Sequence, residues 1–515
     1  MKEEERVVKT LQNLKDTNRI SEEIYFKLKP VGSRPASLYG LAKVHKISVP
    51  VRPVLSMPGS SYHRIGTLVA DWLSEVEECK INSSSKQVSE SLNSIHLGED
   101  EEIVSFDVSS LYTNVPVAES IEVCANLLFS GKYRLPPVDK DTFIELATIS
   151  SCNVLMLTHK GYYKQIDGLA MGSPPAPHLA NGWLSQYDPI IKGNSQLFTR
   201  YMDDVLQEMK RNEIADKLTQ INNLHPNLTF TIERETNGTI PFLDMQIRNT
   251  GGILSSTWYS KPTDTGLILN FHALAPRRYK KSVVSGFVHR IVRACSNWLN
   301  VHNSLEKAKK VLEQNQYPPV FYNPIIEQTL RTIYERMHCT KAPESTSPTS
   351  PGEGGEMTPA ENKVRKKLLF VQYRGKCSEQ YASDLHRANA PCTIVMTLRK
   401  LSTTLPSLKP KMEKNLRSGT VYSIECPRCK SCYVGQTSRH ILTRFKEHQI
   451  RPQAVRNHIR ECGVSITMED VQLLKSSSRG EEHLMTLEAL FIEETKPKIN
   501  TKDEFKQRQL TIKLF

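Results

Sequence analysis

No stretch of the chain approaches the ~20 consecutive apolar residues needed to cross a bilayer. The first segment, MKEEERVVKTLQNLKD, lacks the apolar core of a secretory signal and reads as an amphipathic helix. Cysteine is scarce: eleven in 515 residues, of which Cys426, Cys429, Cys432 and Cys462 crowd into one late segment. That usage argues against a disulfide framework and for a reducing compartment with a local metal site. An acidic excess is missing too. Lys and Arg number 68 against 55 Asp and Glu, a formal charge of +13 that suits a polyanionic partner without identifying one. There is no internal repeat. The expectation is a soluble intracellular chain without a membrane partner, divided into two or three domains because its length exceeds one ordinary core.

The clearest break in composition is KAPESTSPTSPGEGGEMTPAENK, residues 341–363, rich in Pro, Ser, Gly and Glu and nearly free of large apolar side chains, which reads as a flexible linker. Before it, strand-like runs such as EEIVSFDV and FTRYMDDVLQEM alternate with helical stretches such as SIEVCANLLF. After it come a basic segment, residues 364–417, and a compact Cys/His-bearing α/β unit, residues 418–515.

Two acidic motifs stand on predicted strands. Ile103-Val104-Ser105-Phe106-Asp107-Val108 is an apolar strand carrying one carboxylate near its end, and Tyr112 follows five residues later. In Phe198-Thr199-Arg200-Tyr201-Met202-Asp203-Asp204-Val205-Leu206, paired acids sit between two β-type halves, as at a hairpin tip. Adjacent like charges between apolar strands are costly unless cations neutralise them. Carboxylates converging from distant segments are what a pair of divalent ions needs in order to transfer a nucleotide. Between the motifs, Asp167-Gly168-Leu169-Ala170-Met171-Gly172-Ser173 is a glycine-rich turn running into a helix with Pro177 early in it. Upstream, Lys43 and Arg52 fall on two short strands joined by a turn, suited either to a triphosphate or to plain surface charge.

This ordered set, with Ser-Leu-Tyr-Thr-Asn-Val-Pro at 110–116 and Lys-Pro-Thr at 261–263, resembles the reverse transcriptases of Penelope-like elements. The resemblance implies a multidomain α/β and α+β chain: a right-hand polymerase with fingers and palm over 34–250 and a thumb-like helical region over 251–340, after an N-terminal helical segment, 1–33. It further implies that Asp107 and Asp203 hold two Mg2+ ions with Asp204 assisting, and that Tyr112 excludes a ribose 2′-hydroxyl. Gly172 and Ser173 would contact nucleotide and template, and Lys43 and Arg52 the incoming triphosphate. Tyr112 can also be read as a ring that simply packs in the core. The segment Ile240–Ile247 and the run Thr257–Thr265 would form the primer grip and the start of the thumb. An RNA template, a DNA primer and deoxynucleoside triphosphates follow as partners. Family members usually carry more sequence ahead of the fingers motif than the roughly thirty residues present here, so an earlier fingers strand and an N-terminal RNA-contacting region are expected to be missing.

The last segment carries Tyr422 and Tyr433 on two strand-like runs, then Arg444-Phe445-Lys446-Glu447-His448 on a predicted helix, then Glu488 and Asn500. This order resembles GIY-YIG nucleases, with Thr-Val-Tyr in place of the first Gly-Ile-Tyr. By that resemblance Tyr422 or Tyr433 supports the nucleophile, Arg444 offsets phosphate charge, His448 assists proton transfer, Glu488 holds one Mg2+ and Asn500 buttresses the site. Cys426, Cys429, His458 and Cys462, a Cys-x-x-Cys turn with a His-x-x-x-Cys pair, offer four soft ligands of the kind tetrahedral zinc prefers, with Cys432 as a possible substitute. Four protein ligands make such a Zn2+ structural.

Three functions fit these residues. An enzyme could nick target DNA and copy RNA from the exposed 3′ hydroxyl. A truncated or host-retained descendant could bind nucleic acid without catalysis. A nuclease could carry the polymerase part only as an RNA-binding scaffold. A chromosomal target would place the chain in the nucleus, which the basic run Val364-Arg365-Lys366-Lys367 weakly supports.

Overall fold

The computed structural model describes residues 2–338 except 44–48 and 81–84, residues 367–398 except 391, residue 410, and residues 412–500 except 451–453 and 478–479. The predicted linker, 341–363, and Val364–Lys366 lie outside the described residues.

The chain begins with α1 (Lys2–Asp16), which buries Val7, Leu11 and Leu14 along one stripe, and α2 (Glu22–Leu28), whose N-terminus Ser21 caps by accepting from the Ile24 amide at 3.2 Å. The sheet of the segment expected to form the fingers follows: β1 (Ala36–Ala42) and β2 (Val51–Ser56) form a hairpin. Helices α3 (His63–Leu73) and α4 (Ser85–Leu92) lead to β3 (Glu101–Val108), the short α5 (Leu111–Asn114), α6 (Val117–Leu128) and α7 (Lys140–Ser151). The chain then returns to the fingers, where β4 (Leu155–Thr158) pairs parallel to β1 and β5 (Gly161–Lys164) completes the order β2-β1-β4-β5.

Next come α8 (Ala176–Ser185), with Pro177 in its first turn where a missing N–H costs nothing, and α9 (Asp188–Lys192). The sheet of the segment expected to form the palm is antiparallel, in the order β6 (Phe198–Tyr201), β7 (Asp204–Lys210), β3 and β8 (Phe230–Arg234), with α10 (Ile214–Asn222) between its last two strands in sequence. β3 is central and buried at most positions even though Glu101, Glu102, Ser105 and Asp107 interrupt its apolar residues; Val104, Phe106 and Val108 enter one core with α6, α7 and α8.

A three-stranded sheet, β9 (Thr239–Phe242), β10 (Met245–Thr250) and β11 (Ile253–Trp258), packs with α11 (Arg277–Ala294), α12 (Trp298–Gln314) and α13 (Pro319–His338) around a second core containing Trp258, Val288 and Leu305. The Ile240–Ile247 segment is thus a tight hairpin turning at Leu243, while the run after Trp258 leaves the sheet.

The stretch expected to be only a basic connector contains a folded unit: β12 (Lys367–Gln372), α14 (Lys376–Arg387) and β13 (Cys392–Thr397), with the two strands parallel. It leans on the helices expected to form the thumb, where Glu379 accepts from the Arg277 amide at 3.1 Å at the start of α11. The final unit is an antiparallel sheet, β15 (Cys432–Thr437), β14 (Thr420–Glu425) and β16 (Val471–Ser476), with α15 (Ile441–Ile450), α16 (Ala454–Cys462) and α17 (Glu481–Thr495). Alternation splits its sheet residues: Tyr422, Ile424 and Tyr433 pack with α15 and α16, whereas Val421 and Val434 pack with α17. No described helix is long and apolar enough to cross a membrane.

Candidate active sites

The register of the palm sheet sets Asp107 directly opposite Asp204. Opposed residues of antiparallel strands project from the same face, so the two carboxylates are neighbours. Asp203 joins them through the turn Met202–Asp203 that connects β6 to β7. Met202 adopts φ +57°, a left-handed conformation unusual for a bulky side chain, with that side chain buried and the Asp203 carbonyl accepting from the Val108 amide at 3.0 Å. Beneath the turn, Arg200 forms a two-point ion pair with Asp188 at 2.7 and 2.8 Å and also donates to the Asn181 side chain, tying β6 to α8 and α9. Burial, then the charges of Asp203 and Asp107, push the Asp204 carboxyl up to about 6; Lys261, just beyond β11, pulls it the other way.

Tyr112 stands on α5, half-buried against the main core. Its phenol is pushed up to about 12 by burial and next by the charge of Asp203, which places it beside the carboxylate cluster, so the packing and gate readings describe one position. The glycine loop is fastened from both sides. The Leu169 amide donates to the Tyr112 carbonyl at 2.6 Å, and the Leu55 amide of β2 donates to the Met171 carbonyl at 2.8 Å. Gly172, at φ +107°, lies so close to β2 that an added Cβ would be 2.4 Å from the Leu55 carbonyl oxygen. Ser173 is buried, and its hydroxyl finds no hydrogen-bond partner among the described residues. Lys43 and Arg52 occupy the fingers hairpin, where the Lys43 amide donates to the Pro50 carbonyl at 2.8 Å and Arg52 pairs with Leu41. The cation whose charge reaches Asp204 is Lys261 instead.

In the C-terminal unit Tyr422 is paired with Gly435 and Ile424 with Tyr433 across β14 and β15, so both tyrosines rise from one face. Tyr422 Oη lies 2.6 Å from His448 Nε2, and Arg444 Nε donates to the same oxygen at 3.3 Å. The Tyr433 and His448 rings meet edge-on with centroids 5.1 Å apart. Gly435 leaves the space for this cluster, since an added Cβ would be 3.0 Å from Tyr422 Oη. Arg444 and His448 share a face of α15 because they are four residues apart. Burial, followed by the neighbouring guanidinium, lowers His448 to about 4, and burial raises the Tyr422 phenol to about 12. Glu488 on α17 is buried, accepts from the Gln436 amide at 3.1 Å, and is close enough for its charge to act on Tyr422. Asn500 exchanges two bonds with Val434, at 2.9 and 2.8 Å, holding the segment after α17 against β15.

Beside this cluster, the ligand atoms of Cys426, Cys429, His458 and Cys462 all lie within 4.8 Å of one another. Cys426 Sγ and Cys462 Sγ are 3.8 Å apart and Cys429 Sγ is 3.3 Å from His458 Nε2. Two sulfurs on a tetrahedral zinc with bonds of ~2.3 Å would be roughly 3.8 Å apart, so the donor set fits that ion. Cys432 is not in this group; it sits on β15 opposite Glu425.

A family described as the animal helix-turn-helix domain matches residues 267–327, the first two thumb helices and the start of the third. No curated protein matches the chain. Among solved structures, the chain is similar to the telomerase of Candida albicans in complex with a fragment of telomeric RNA, at 12% identity and a TM-score of 0.41, covering 62% of each chain. It is also similar to the Sicinivirus 3Dpol RNA-dependent RNA polymerase, at 12% identity and a TM-score of 0.38, covering 61% of this chain and 71% of that one. The elongation-state RNA-dependent RNA polymerase of BmCPV matches at 10% identity and a TM-score of 0.33, over 57% of this chain and 27% of that one. The chain therefore spans less than two thirds of the length of the telomerase. The likeness is one of fold and is distant; the functional reading stands on the geometry above.

Several contributors escaped the sequence reading. Lys261 was visible only as part of a Lys-Pro-Thr run, and nothing local ties it to Asp204. The Arg200, Asp188 and Asn181 support joins residues up to 19 positions apart. Glu447, which accepts from both Arg439 and Arg444, had a signal: it lies three residues after Arg444 on a helix.

Proposed function

We propose that the chain is an RNA-directed DNA polymerase joined to a GIY-YIG DNA endonuclease, of the Penelope-like kind, which nicks target DNA and primes synthesis from the 3′ hydroxyl it creates. The observation that carries the reading is the meeting of Asp107, Asp203 and Asp204 at one end of the palm sheet, where burial and then the charges of Asp203 and Asp107 raise Asp204 to about 6. Such a cluster suits two Mg2+ ions, which would supply activation of the primer hydroxyl and neutralisation of the departing pyrophosphate. Asp107 and Asp203 would hold them with Asp204 assisting. Tyr112, next to Asp203, closes the space where a ribose 2′-hydroxyl would sit, and Lys261 offsets part of the charge. Gly172 and Ser173 line the approach from the fingers, with Lys43 and Arg52 meeting the triphosphate there.

In the second site Glu488 would hold one Mg2+, which stabilises the leaving oxygen. Arg444 holds the scissile phosphate. Neutral His448 accepts a proton through the Tyr422 hydroxyl, Tyr433 walls the histidine ring, and Asn500 fixes the β15 edge. Zinc on Cys426, Cys429, His458 and Cys462 would brace the turn after β14 against α16. Partners are an RNA template, a DNA primer and target, and deoxynucleoside triphosphates. The nucleus is where such a target lies.

The test is primer extension on an RNA template with a DNA primer, run beside plasmid nicking. Asp203→Asn should abolish extension and spare nicking, and Arg444→Ala should do the reverse, costing about a hundredfold or more in nicking. A chain that nicks but never extends would leave only a nuclease on an RNA-binding scaffold.

A further inference from the structure

The N-terminal segment touches the C-terminal unit at a point where backbone, not only side chains, is in contact. Glu4 of α1 accepts from the Gly32 amide at 3.0 Å, the Ser33 amide at 2.6 Å and the Ser33 hydroxyl at 2.6 Å, which fixes the turn between α2 and β1. That turn presents two carbonyls outward. The Gly32 carbonyl accepts from the Ser418 hydroxyl, and the Ser33 carbonyl lies 2.6 Å from His440 Nε2. His440 is buried, with its Nε2 also 3.7 Å from a Glu4 carboxylate oxygen. Gly32 has φ +61°, and a Cβ there would lie 2.4 Å from the Ser438 carbonyl oxygen and 2.8 Å from Ser418 Cβ. Contact this close tolerates no side chain, and it joins residues 386 and 407 positions apart.

We propose that Glu4, Gly32 and Ser33 form a docking surface for the C-terminal unit, which the chain uses to hold that unit against its polymerase part rather than leave it as a free module. The site of attachment gives this a purpose. Arg444 donates its amide to the His440 carbonyl at 3.1 Å, so the anchored histidine opens the helix that carries Arg444 and His448. Docking at His440 therefore fixes the orientation of that helix relative to the fingers turn and, through it, to the palm. A DNA end released at one site would meet the other at a set distance.

Hydrogen exchange on the intact chain tests docking without reference to either activity. His440→Ala, in the C-terminal unit, should speed exchange of peptides covering Gly32 and Ser33, whose amides Glu4 otherwise holds, by about threefold or more. Reciprocally, Gly32→Val should speed exchange across residues 438–443. Circular dichroism melting confirms that each variant is folded. Acceleration across the contact in either direction supports docking. Exchange that changes only around the substituted residue in both variants overturns it.

Discussion

Tyr422 Oη and His448 Nε2 are 2.6 Å apart inside the C-terminal unit, with the Arg444 guanidinium on the same phenol oxygen. A histidine so placed is kept neutral, and its value falls to about 4. Between that value and the ~6.5 of an unfolded histidine, the unfolded state binds a proton that the folded unit refuses. Stability contributed by neutral His448 is therefore present above about pH 6.5 and is lost as pH falls towards 4, by at most about 3 kcal/mol. All four tryptophans lie before residue 300, so fluorescence will not report on this unit. Hydrogen exchange of the β14 amides will. Their protection should drop between pH 7.5 and 4.5 beyond the intrinsic change in exchange rate, and His448→Gln should remove that extra dependence. An unchanged slope in the variant would assign it elsewhere.

Asp204 behaves in the opposite sense. Its carboxyl is raised to about 6, so in the metal-free chain its protonated form stabilises the fold at low pH, and that contribution is lost as pH rises through about 6. A divalent ion competes for the ionised form. Mn2+ binding followed by calorimetry should weaken below about pH 6 and release a proton near that pH. Asp204→Asn should melt higher than the parent in chelator at pH 8, because one of three converging charges is gone, while lowering extension by about a hundredfold. A variant that melts lower in chelator would mean that the cluster is not under charge repulsion.

Much of this was legible because the signals are local. An apolar run ending in one acid, and an Asp-Asp pair between two β halves, prescribe a strand and a hairpin tip, and the register then brings Asp107 to Asp204. Tyr422, Tyr433, Arg444, His448 and Glu488 were singled out by the resemblance of their order to GIY-YIG nucleases, and the structure brings Tyr422, Tyr433, Arg444 and His448 together. What stayed hidden depends on distant pairing. The βαβ unit at 367–397 was masked by its charge: α14 is mostly polar, and the two strands meet only across it. Lys261 near Asp204 and Gly32 against Ser438 carry no neighbourhood pattern at all.

Tyr112 offers a test of sugar selection. Its ring is half-buried and adjoins Asp203, so truncation opens space next to the carboxylate cluster instead of deep in the core. Tyr112→Ala should keep most extension with deoxynucleotides and raise ribonucleotide incorporation relative to them by about a hundredfold, the scale at which an apolar wall rejects one added hydroxyl. Competition between dGTP and GTP on one template measures the ratio. If Tyr112→Ala unfolds the palm, Tyr112→Phe should leave the ratio unchanged, because a ring without its hydroxyl still fills the gap.

The four-ligand cluster makes the most separable prediction, because it lies in the C-terminal unit, on elements other than those that carry Asp107, Asp203 and Asp204. Cys426 and Cys429 bracket a turn after β14 in which the Cys426 amide donates to the Ser431 carbonyl at 2.9 Å, and His458 and Cys462 lie on α16. Without an ion, three thiols and an imidazole would crowd together for little gain, whereas a bound zinc contributes its binding energy to folding. The purified chain should contain one zinc per molecule by mass spectrometry of metals. Cys429→Ser should lose it, lower the melting of the nuclease unit and reduce nicking, while extension from an RNA template is preserved. Cys432→Ser should keep the zinc, since that thiol stands outside the cluster. Loss of metal from Cys432→Ser with retention in Cys429→Ser would reverse the ligand assignment. A parent chain that folds and nicks with no zinc would leave the cysteines as turn and helix residues only.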